Sequence, residues 1–191
     1  KLNKDVFGFP IQWIPKNPRW QNYVDIWTQI PLLTFVKNTV KITVVVTLLQ
    51  LFTSSFAAYA FAKMQFKGKN ALFLGYIATI AVPWQAYMVP QFMMMSSWHL
   101  NNTHLAIMCL QAFSAFGVFL MKQFYEGVPT ELCEAARIDG LSEYGIWWHI
   151  MLPLSLPALS TLTIFTFVNT WNDFLGPLIY LTKTELKTIQ I

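Results

Sequence analysis

Residues 70–121 have the sequence NALFLGYIATIAVPWQAYMVPQFMMMSSWHLNNTHLAIMCLQAFSAFGVFLM, and none of these 52 residues is Asp, Glu, Lys or Arg. A helix needs roughly 20 apolar residues to cross a bilayer, so this stretch has room for two membrane spans. The polar residues at 96–97 and 101–103 predict a short turn between them. Two further uncharged stretches, 42–62 and 144–172, have room for one span each. We therefore expect four spans, near residues 40–62, 71–94, 104–121 and 155–180.

The composition of the whole chain also indicates a membrane protein. Hydrophobic residues make up 55% of the 191 residues and charged residues 12%, about half the charge of a typical soluble domain. The alternative is a soluble all-helical protein, but helices formed by 70–121 would have no charged face to turn toward water. The net charge of +4 would suggest a nucleic-acid partner for a soluble chain. Here the expected partner is the lipid bilayer, and the predicted fold class is an all-α, multi-pass helical bundle.

The positive charges between the spans predict the orientation of the chain. Lys63, Lys67 and Lys69 follow span one, Lys122 and Arg137 follow span three, and the turn between spans two and three has no charge. Because basic residues in short connections favour the cytoplasmic side, spans one and three are expected to run inward. The N-terminal 41 residues oppose this orientation with six basic residues: Lys1, Lys4, Lys16, Arg19, Lys37 and Lys41.

Residues 1–35 combine prolines with large aromatic residues, which is typical of a segment at the membrane surface. Proline interrupts helices, and tryptophan and tyrosine favour the headgroup region. We expect an extracytoplasmic or interfacial segment, with capture of solute as the alternative role. The residues concerned are Pro10, Pro15, Pro18 and Pro31, with Trp13, Trp20, Tyr23 and Trp27.

The cysteines and histidines predict neither a disulfide nor a metal site. Cys109 lies inside a span, and Cys133 lies in a loop expected to be cytoplasmic, where thiols stay reduced and accessible to reagents from that side. His99, His104 and His149 are scattered and lack the spacing of metal ligands. No metal or cofactor is predicted for the chain.

The polar loop after span three, at about 123–152, contains a pattern of fixed spacing. Glu134-Ala135-Ala136 is followed after three residues by Gly140, and nine residues later by Ile150-Met151-Leu152-Pro153. Thr130 predicts the N-cap of a short helix, Gly140 its left-handed stop, and Ser142 the start of a second helix.

One face of the first predicted helix suits docking into a groove. It has small side chains at its centre and is formed by Leu132, Ala135, Ala136 and Asp139. An ordinary amphipathic loop helix is the alternative interpretation.

The spacing of this loop resembles the EAA loop of ATP-binding-cassette importer permeases. Other segments are similar to the carbohydrate-importer branch of that family, in particular to the smaller permease subunit of maltose-type systems. They are Asn38-Thr39, Ala57-Ala58-Tyr59-Ala60, Pro83 and Pro90, Phe165-Thr166-Phe167, and Trp171-Asn172-Asp173-Phe174. The resemblance covers nearly all residues from about 36 onward.

The resemblance implies a bundle of six spans in a multi-pass subunit of the bacterial-type inner membrane. It also implies as partners a second permease subunit, a cytoplasmic ATPase dimer and an extracytoplasmic solute-binding protein, with no cofactor in this chain. Residues 36–191 would form the permease core, after the surface segment 1–35. This chain departs from the family by lacking the first and last spans, so we expect part of a longer subunit. The residues implied in ATPase docking are Glu134, Ala135, Ala136, Gly140, Ile150, Leu152 and Pro153.

Asp173 is the one acidic residue inside a predicted span, where a charge costs about 2.5 to 3.5 kcal/mol. With Asn169 and Asn172 nearby, it is a candidate for hydrogen bonds to sugar hydroxyls; alternatively it ties helices together at the outer interface. Gln85, Tyr87 and Gln111 are further pathway candidates because they are polar.

The predicted function is that of an importer permease for a sugar or oligosaccharide, with another solute such as glycerol phosphate as the alternative. The chain is not expected to hydrolyse ATP, because it lacks the G-x-x-x-x-G-K-[ST] phosphate-binding loop. Two alternatives belong to other functional classes: an intramembrane enzyme using Asp173 with His149 or His104 as acid and base, and a purely structural anchor.

Overall fold

The computed structural model describes residues 20–191, and this part of the chain is built from helices without a β-strand. The α-helices are α1 (Gln21–Gln29), α2 (Leu32–Lys63), α3 (Lys69–Ala78), α4 (Trp84–Ser97), α5 (His104–Gln111), α6 (Ala115–Glu126), α7 (Thr130–Ile138), α8 (Glu143–Leu154, with a π-helical turn at Trp147–Met151), α9 (Leu156–Trp171) and α10 (Leu175–Tyr180). Short 3₁₀ turns lie at Thr79–Ala81 and Thr184–Leu186.

Helix α2 is the central element of the bundle. Its 32 residues give a length of about 48 Å, longer than the hydrocarbon layer of a bilayer. It packs against α6 and α9, and small residues allow a close approach: a Cβ atom on Gly117 of α6 would lie 2.5 Å from Ser54 Oγ of α2 and 3.2 Å from Leu162 Cδ1 of α9. Such small-residue contacts are the usual way for helices to associate in lipid.

Two of the four predicted spans correspond to long helical segments, and a third corresponds to a bent pair of helices. By length and composition, α2 and the segment His104–Glu126 can each cross a membrane, which confirms the spans predicted at 40–62 and 104–121. The span predicted at 71–94 is bent by 102° between Lys69–Ala81 and α4. Pro83 explains the bend, since the residue before a proline is driven out of the helical conformation. Pro90 lies within α4 and does not end it.

The fourth predicted span, 155–180, is also interrupted. Helix α9 ends at Trp171 and α10 begins at Leu175. Helix α8 meets α9 at an angle of 80°, so α8 lies across the end of the bundle, and we assign it to the loop rather than to the span.

The two ends of the bundle are defined by contacts between distant parts of the chain. At one end, Lys63 Nζ donates to the carbonyl oxygen of Val128 at 2.5 Å, which joins the end of α2 to the loop after α6. At the other end, Asn38 Nδ2 donates to the carbonyl oxygens of Glu185 and Lys187 at 2.8 and 2.9 Å. The connections after the first and third spans therefore share one end, as the lysine pattern predicts.

The N-terminal segment is described only from residue 20. Helix α1 has no buried residue, and the rings of Trp20 and Tyr23 stack with their centroids 6.0 Å apart. The interfacial position of residues 1–35 stays a prediction. The predictions for Pro10, Trp13, Pro15 and Pro18 lie outside the described residues.

Candidate functional site

The loop between α6 and α9 contains helix α7 with a sharply defined end. The Leu141 N–H donates to the Ala136 carbonyl at 3.0 Å and the Gly140 N–H to the Arg137 carbonyl at 3.1 Å, the pair of bonds that defines a Schellman stop. Gly140 has φ +86°, as predicted. Thr130 was wrongly predicted as the N-cap: Pro129 holds that position, and Thr130 is the first helical residue.

The start of α8 is fixed to both α7 and α2. Ser142 caps α8, since its Oγ accepts from the Gly145 N–H at 3.2 Å, as predicted. Glu143 accepts hydrogen bonds from Tyr59 OH of α2 at 2.5 Å and from Arg137 Nε of α7 at 2.6 Å. The hydrogen bond from Arg137 lowers the pKa of the Glu143 carboxyl below its ordinary value, and burial acts in the opposite direction. We call these three residues the Tyr59–Glu143–Arg137 chain.

Helix α7 has an inner and an outer face, and they differ from the prediction. Cys133 and Ala136 are buried in the hydrophobic core at this end of the bundle, whereas Glu134 and Ala135 are exposed. Ala136 therefore packs inward and is not part of an exposed docking face. The native Cys133 is likewise inaccessible to reagents, and burial raises the pKa of its thiol.

The second half of the predicted motif supports the loop from within. Ile150 and Leu152 pack against the same core, while Pro153 is exposed. Trp147 is fully buried and contacts the rings of Phe52 and Phe56 edge-on, with centroids 5.5 and 5.2 Å away. Trp147 thus anchors α8 onto α2, and Ile150 and Leu152 add contacts to the same core.

A cavity of about 460 Å³ lies among α2, α4, α5, α6, α9 and α10. Of the predicted pathway residues, Tyr87, Gln111, Asn169 and Asp173 line it, and Gln85 and Asn172 do not. The Asn172 amide instead donates to the Val168 carbonyl at 2.8 Å, back into its own helix.

The cavity is bordered by the break between α5 and α6, whose carbonyl groups are satisfied by side chains of α2. Gln50 Nε2 donates to the Gln111 carbonyl at 2.7 Å, and Thr53 Oγ1 donates to the Ala112 carbonyl at 2.7 Å. Gln50 Oε1 in turn accepts from Thr166 Oγ1 of α9 at 2.9 Å. Backbone that is not helical is tolerated at membrane depth when protein groups satisfy it in this way.

Asp173 ties two helices together and also lines the cavity. Its Oδ2 accepts from Gln111 Nε2 at 2.7 Å and its Oδ1 from the Gly176 N–H at 3.1 Å. A Cβ atom at Gly176 would lie 2.4 Å from Oδ2, so the carboxylate can sit this close only against a glycine. These contacts support the alternative in which Asp173 ties helices together. Asp173 also remains part of the cavity wall.

The alternative of an intramembrane enzyme requires Asp173 to lie close to His149 or His104, and the structure does not bring these residues together. A ring nitrogen of His104 lies 2.9 Å from the Leu186 carbonyl at one end of the bundle, and Nδ1 of His149 lies 3.1 Å from the Gly145 carbonyl at the other. Within residues 20–191 neither histidine is hydrogen-bonded to Asp173, whose partners are Gln111 and Gly176.

Sequence reasoning missed several polar residues of the cavity. Gln50, Trp84, Gln91 and Thr166 line it and were not predicted. A signal was present for Gln50, which is the one side-chain amide in the uncharged stretch 42–62. Trp84 and Gln91 had no such signal, because only the bend at Pro83 turns α4 toward the cavity.

Comparison with known proteins gives consistent matches. The arabinooligosaccharides transport system permease protein AraQ of Halalkalibacterium halodurans is 37% identical over 185 residues, which are 96% of this chain and 66% of that protein. The lactose transport system permease protein LacG of Rhizobium radiobacter is 36% identical over 172 residues, 90% of this chain and 63% of that protein. The chain thus spans less than two thirds of the length of these relatives.

A solved structure has the same fold. The crystal structure of a bacterial ABC transporter involved in the import of the acidic polysaccharide alginate superposes with a TM-score of 0.84 at 26% identity, covering 93% of this chain and 62% of the other. This match confirms the predicted class of fold, the helical bundle of an ABC importer permease. Residues 50–190 match the family described as binding-protein-dependent transport system inner membrane component, and the chain belongs to that family.

Proposed function

We propose that the chain is a membrane-spanning permease subunit of an ATP-binding-cassette importer for a sugar or oligosaccharide. It forms half of the translocation pathway. A separate ATPase dimer drives transport by acting on the segment between α6 and α9 that contains helices α7 and α8, which we call the α7–α8 loop. A second permease subunit and an extracytoplasmic solute-binding protein complete the assembly. The names of the two relatives and the alginate importer's description, all of saccharide transport, support the choice of solute.

The observation that carries this proposal is that one continuous helix connects the loop to the cavity. Helix α2 contributes Gln50 to the cavity wall and Tyr59 to the Tyr59–Glu143–Arg137 chain. Tyr59 lies nine positions after Gln50 in the α-helix, a rise of about 14 Å. When α7 moves, Arg137 and Glu143 transmit the movement to Tyr59 of α2. Helix α2 then moves relative to the cavity, where its side chains hold the break between α5 and α6.

The docking surface on this chain is the exposed face of α7. Glu131, Glu134, Ala135 and Ile138 are exposed, and Ile138 is 85% exposed, although it is a large apolar residue. An ATPase groove would cover this side chain and accommodate the small Ala135. Ala136, Ile150 and Leu152 act from beneath by holding α7 and α8 in position, and Gly140 ends the helix.

The test introduces the same bulky charge at two exposed positions at the same end of the bundle. Ala135→Arg should reduce copurification of the ATPase and solute uptake by at least about tenfold, since burying an unpaired charge is costly. The control is Gln65→Arg in the connection between α2 and α3, also exposed, which should leave both intact. Normal ATPase binding and uptake in Ala135→Arg, with the subunit at its normal level in the membrane, would exclude docking through this face.

A further inference from the structure

The charge of the cavity wall limits the kinds of solute that the cavity can hold. Among the described residues that line it, Asp173 carries the one charged side chain, and Lys, Arg and His are absent. The remaining lining consists of amides, hydroxyls, aromatic rings and aliphatic side chains. This composition bears on the charge of the solute, which differs within the family, since its relatives include importers of lactose and of the acidic polysaccharide alginate.

The Gln91 amide on the cavity wall has hydrogen-bonding capacity that the described residues do not use. Only the oxygen of the Gln91 amide is engaged, by Trp84 Nε1 at 2.8 Å. Hydroxyl groups of a ligand both donate and accept, so they could pair with the N–H groups of this amide.

Aromatic rings complete the lining. Trp84 and Tyr87 lie on α4, and the hydrogen bond to Gln91 holds the indole of Trp84 in one orientation. Small-molecule sites typically combine such apolar and aromatic walls with a few placed polar groups, in volumes of about 300 to 1,000 Å³. The 460 Å³ cavity is of that kind, and the C–H-rich face of a sugar ring suits an aromatic wall.

The position of Asp173 disfavours a negatively charged solute. Its carboxylate is fixed by Gln111 and Gly176 and cannot swing away. A sphere of the cavity's volume has a radius of about 5 Å, so an anionic group at its centre lies about 6 Å from the carboxylate. At an effective dielectric constant of about 20, that repulsion weakens binding by about 100-fold.

We infer that this cavity binds an uncharged glycosyl unit and discriminates against anionic solutes such as uronates and glycerol phosphate. The inference rests on the proposed importer function and deepens it by naming the substrate class. Asp173 acts as a specificity-determining residue, through its charge.

The test measures uptake in cells that express the full-length subunit with its partner subunits. Labelled lactose, arabinotriose and maltotriose serve as neutral probes, and trigalacturonate and glycerol 3-phosphate as anionic probes. The wild type should take up at least one neutral probe and prefer it to both anionic probes. Asp173→Asn removes the charge at nearly constant shape and should raise the ratio of anionic to neutral uptake by about 10- to 100-fold.

Asn172→Asp is the matched control, because it adds the same charge one residue away, at a position that does not line the cavity. It should leave the uptake ratio unchanged. Preferred uptake of an anionic probe by the wild type, or an unchanged ratio in Asp173→Asn, would overturn the inference while the importer function stands. Uptake of none of the probes by the wild type would count against the importer function and the inference together.

Discussion

Replacing Gly140 by valine tests whether the end of α7 must be rigid for coupling. Gly140 has φ +86°, and no atom lies within 4 Å of the position that a Cβ would occupy. The substitution therefore causes no clash, and its cost is the backbone strain of a left-handed residue, about 1 to 2 kcal/mol. That energy corresponds to a 5- to 30-fold change in the population of the native turn.

The strain should act on the geometry that positions the exposed face of α7. Relief of the left-handed conformation breaks the bonds from Gly140 and Leu141 to the last turn of the helix. It also disturbs the register of Arg137 with Glu143, six residues apart across the turn. Uptake and solute-stimulated ATP hydrolysis should then fall together while the subunit remains in the membrane.

The chain contains a matched control at Gly68. Its φ is +82°, and again no atom lies within 4 Å of the position that a Cβ would occupy, so Gly68→Val carries the same strain outside the α7–α8 loop. We expect equal losses of thermal stability in the two variants, with loss of coupling only in Gly140→Val. Gly140→Asn should be milder, since asparagine tolerates the left-handed region. Normal coupling in Gly140→Val at normal expression, or an equal coupling defect in Gly68→Val, would refute the reasoning.

Three further predictions concern packing, pH and topology. Gly117→Ala should lower the free energy of unfolding by about 1 to 3 kcal/mol through overpacking against Ser54 and Leu162. Gly75 has open space around it, so Gly75→Ala should be neutral. The melting temperatures of the purified complexes distinguish the two variants. Because the folded-state pKa of Glu143 is lowered from 4.5, its stabilising contribution is complete above that pH and is lost as the pH falls below it. The stability advantage of the wild type over Glu143→Gln should therefore shrink as the pH falls below 4.5, and a constant difference would argue against the ion pair. For topology, Cys133 is buried, so cysteines are introduced at exposed positions in a background without native cysteines. Gln65→Cys should react with an impermeant maleimide from the cytoplasmic side and Ser97→Cys from outside, and the reverse pattern would overturn the orientation.

The local features of the loop were predictable because they depend on residues close together in sequence. A glycine after a short polar helix predicts a left-handed stop, and a serine two residues later predicts a new helix start; both are confirmed at Gly140 and Ser142. Which face of α7 turns inward was not predictable. Cys133 and Ala136 are buried by core residues distant in sequence, whereas helical periodicity gave only the spacing.

The sequence by itself determined that the chain is a helical membrane protein and which connections share one end, because the absence of charge over 52 residues and the placement of lysines are properties of composition. Tertiary structure decided how the spans bend and what they enclose. The bend at Pro83 turns Trp84 and Gln91 toward Gln50 and Asp173, residues that lie far apart in the sequence. The sequence pattern specifies how long each apolar segment is. A cavity depends instead on the angles between helices, and these are set by packing and by the hydrogen bonds to backbone groups at the helix breaks.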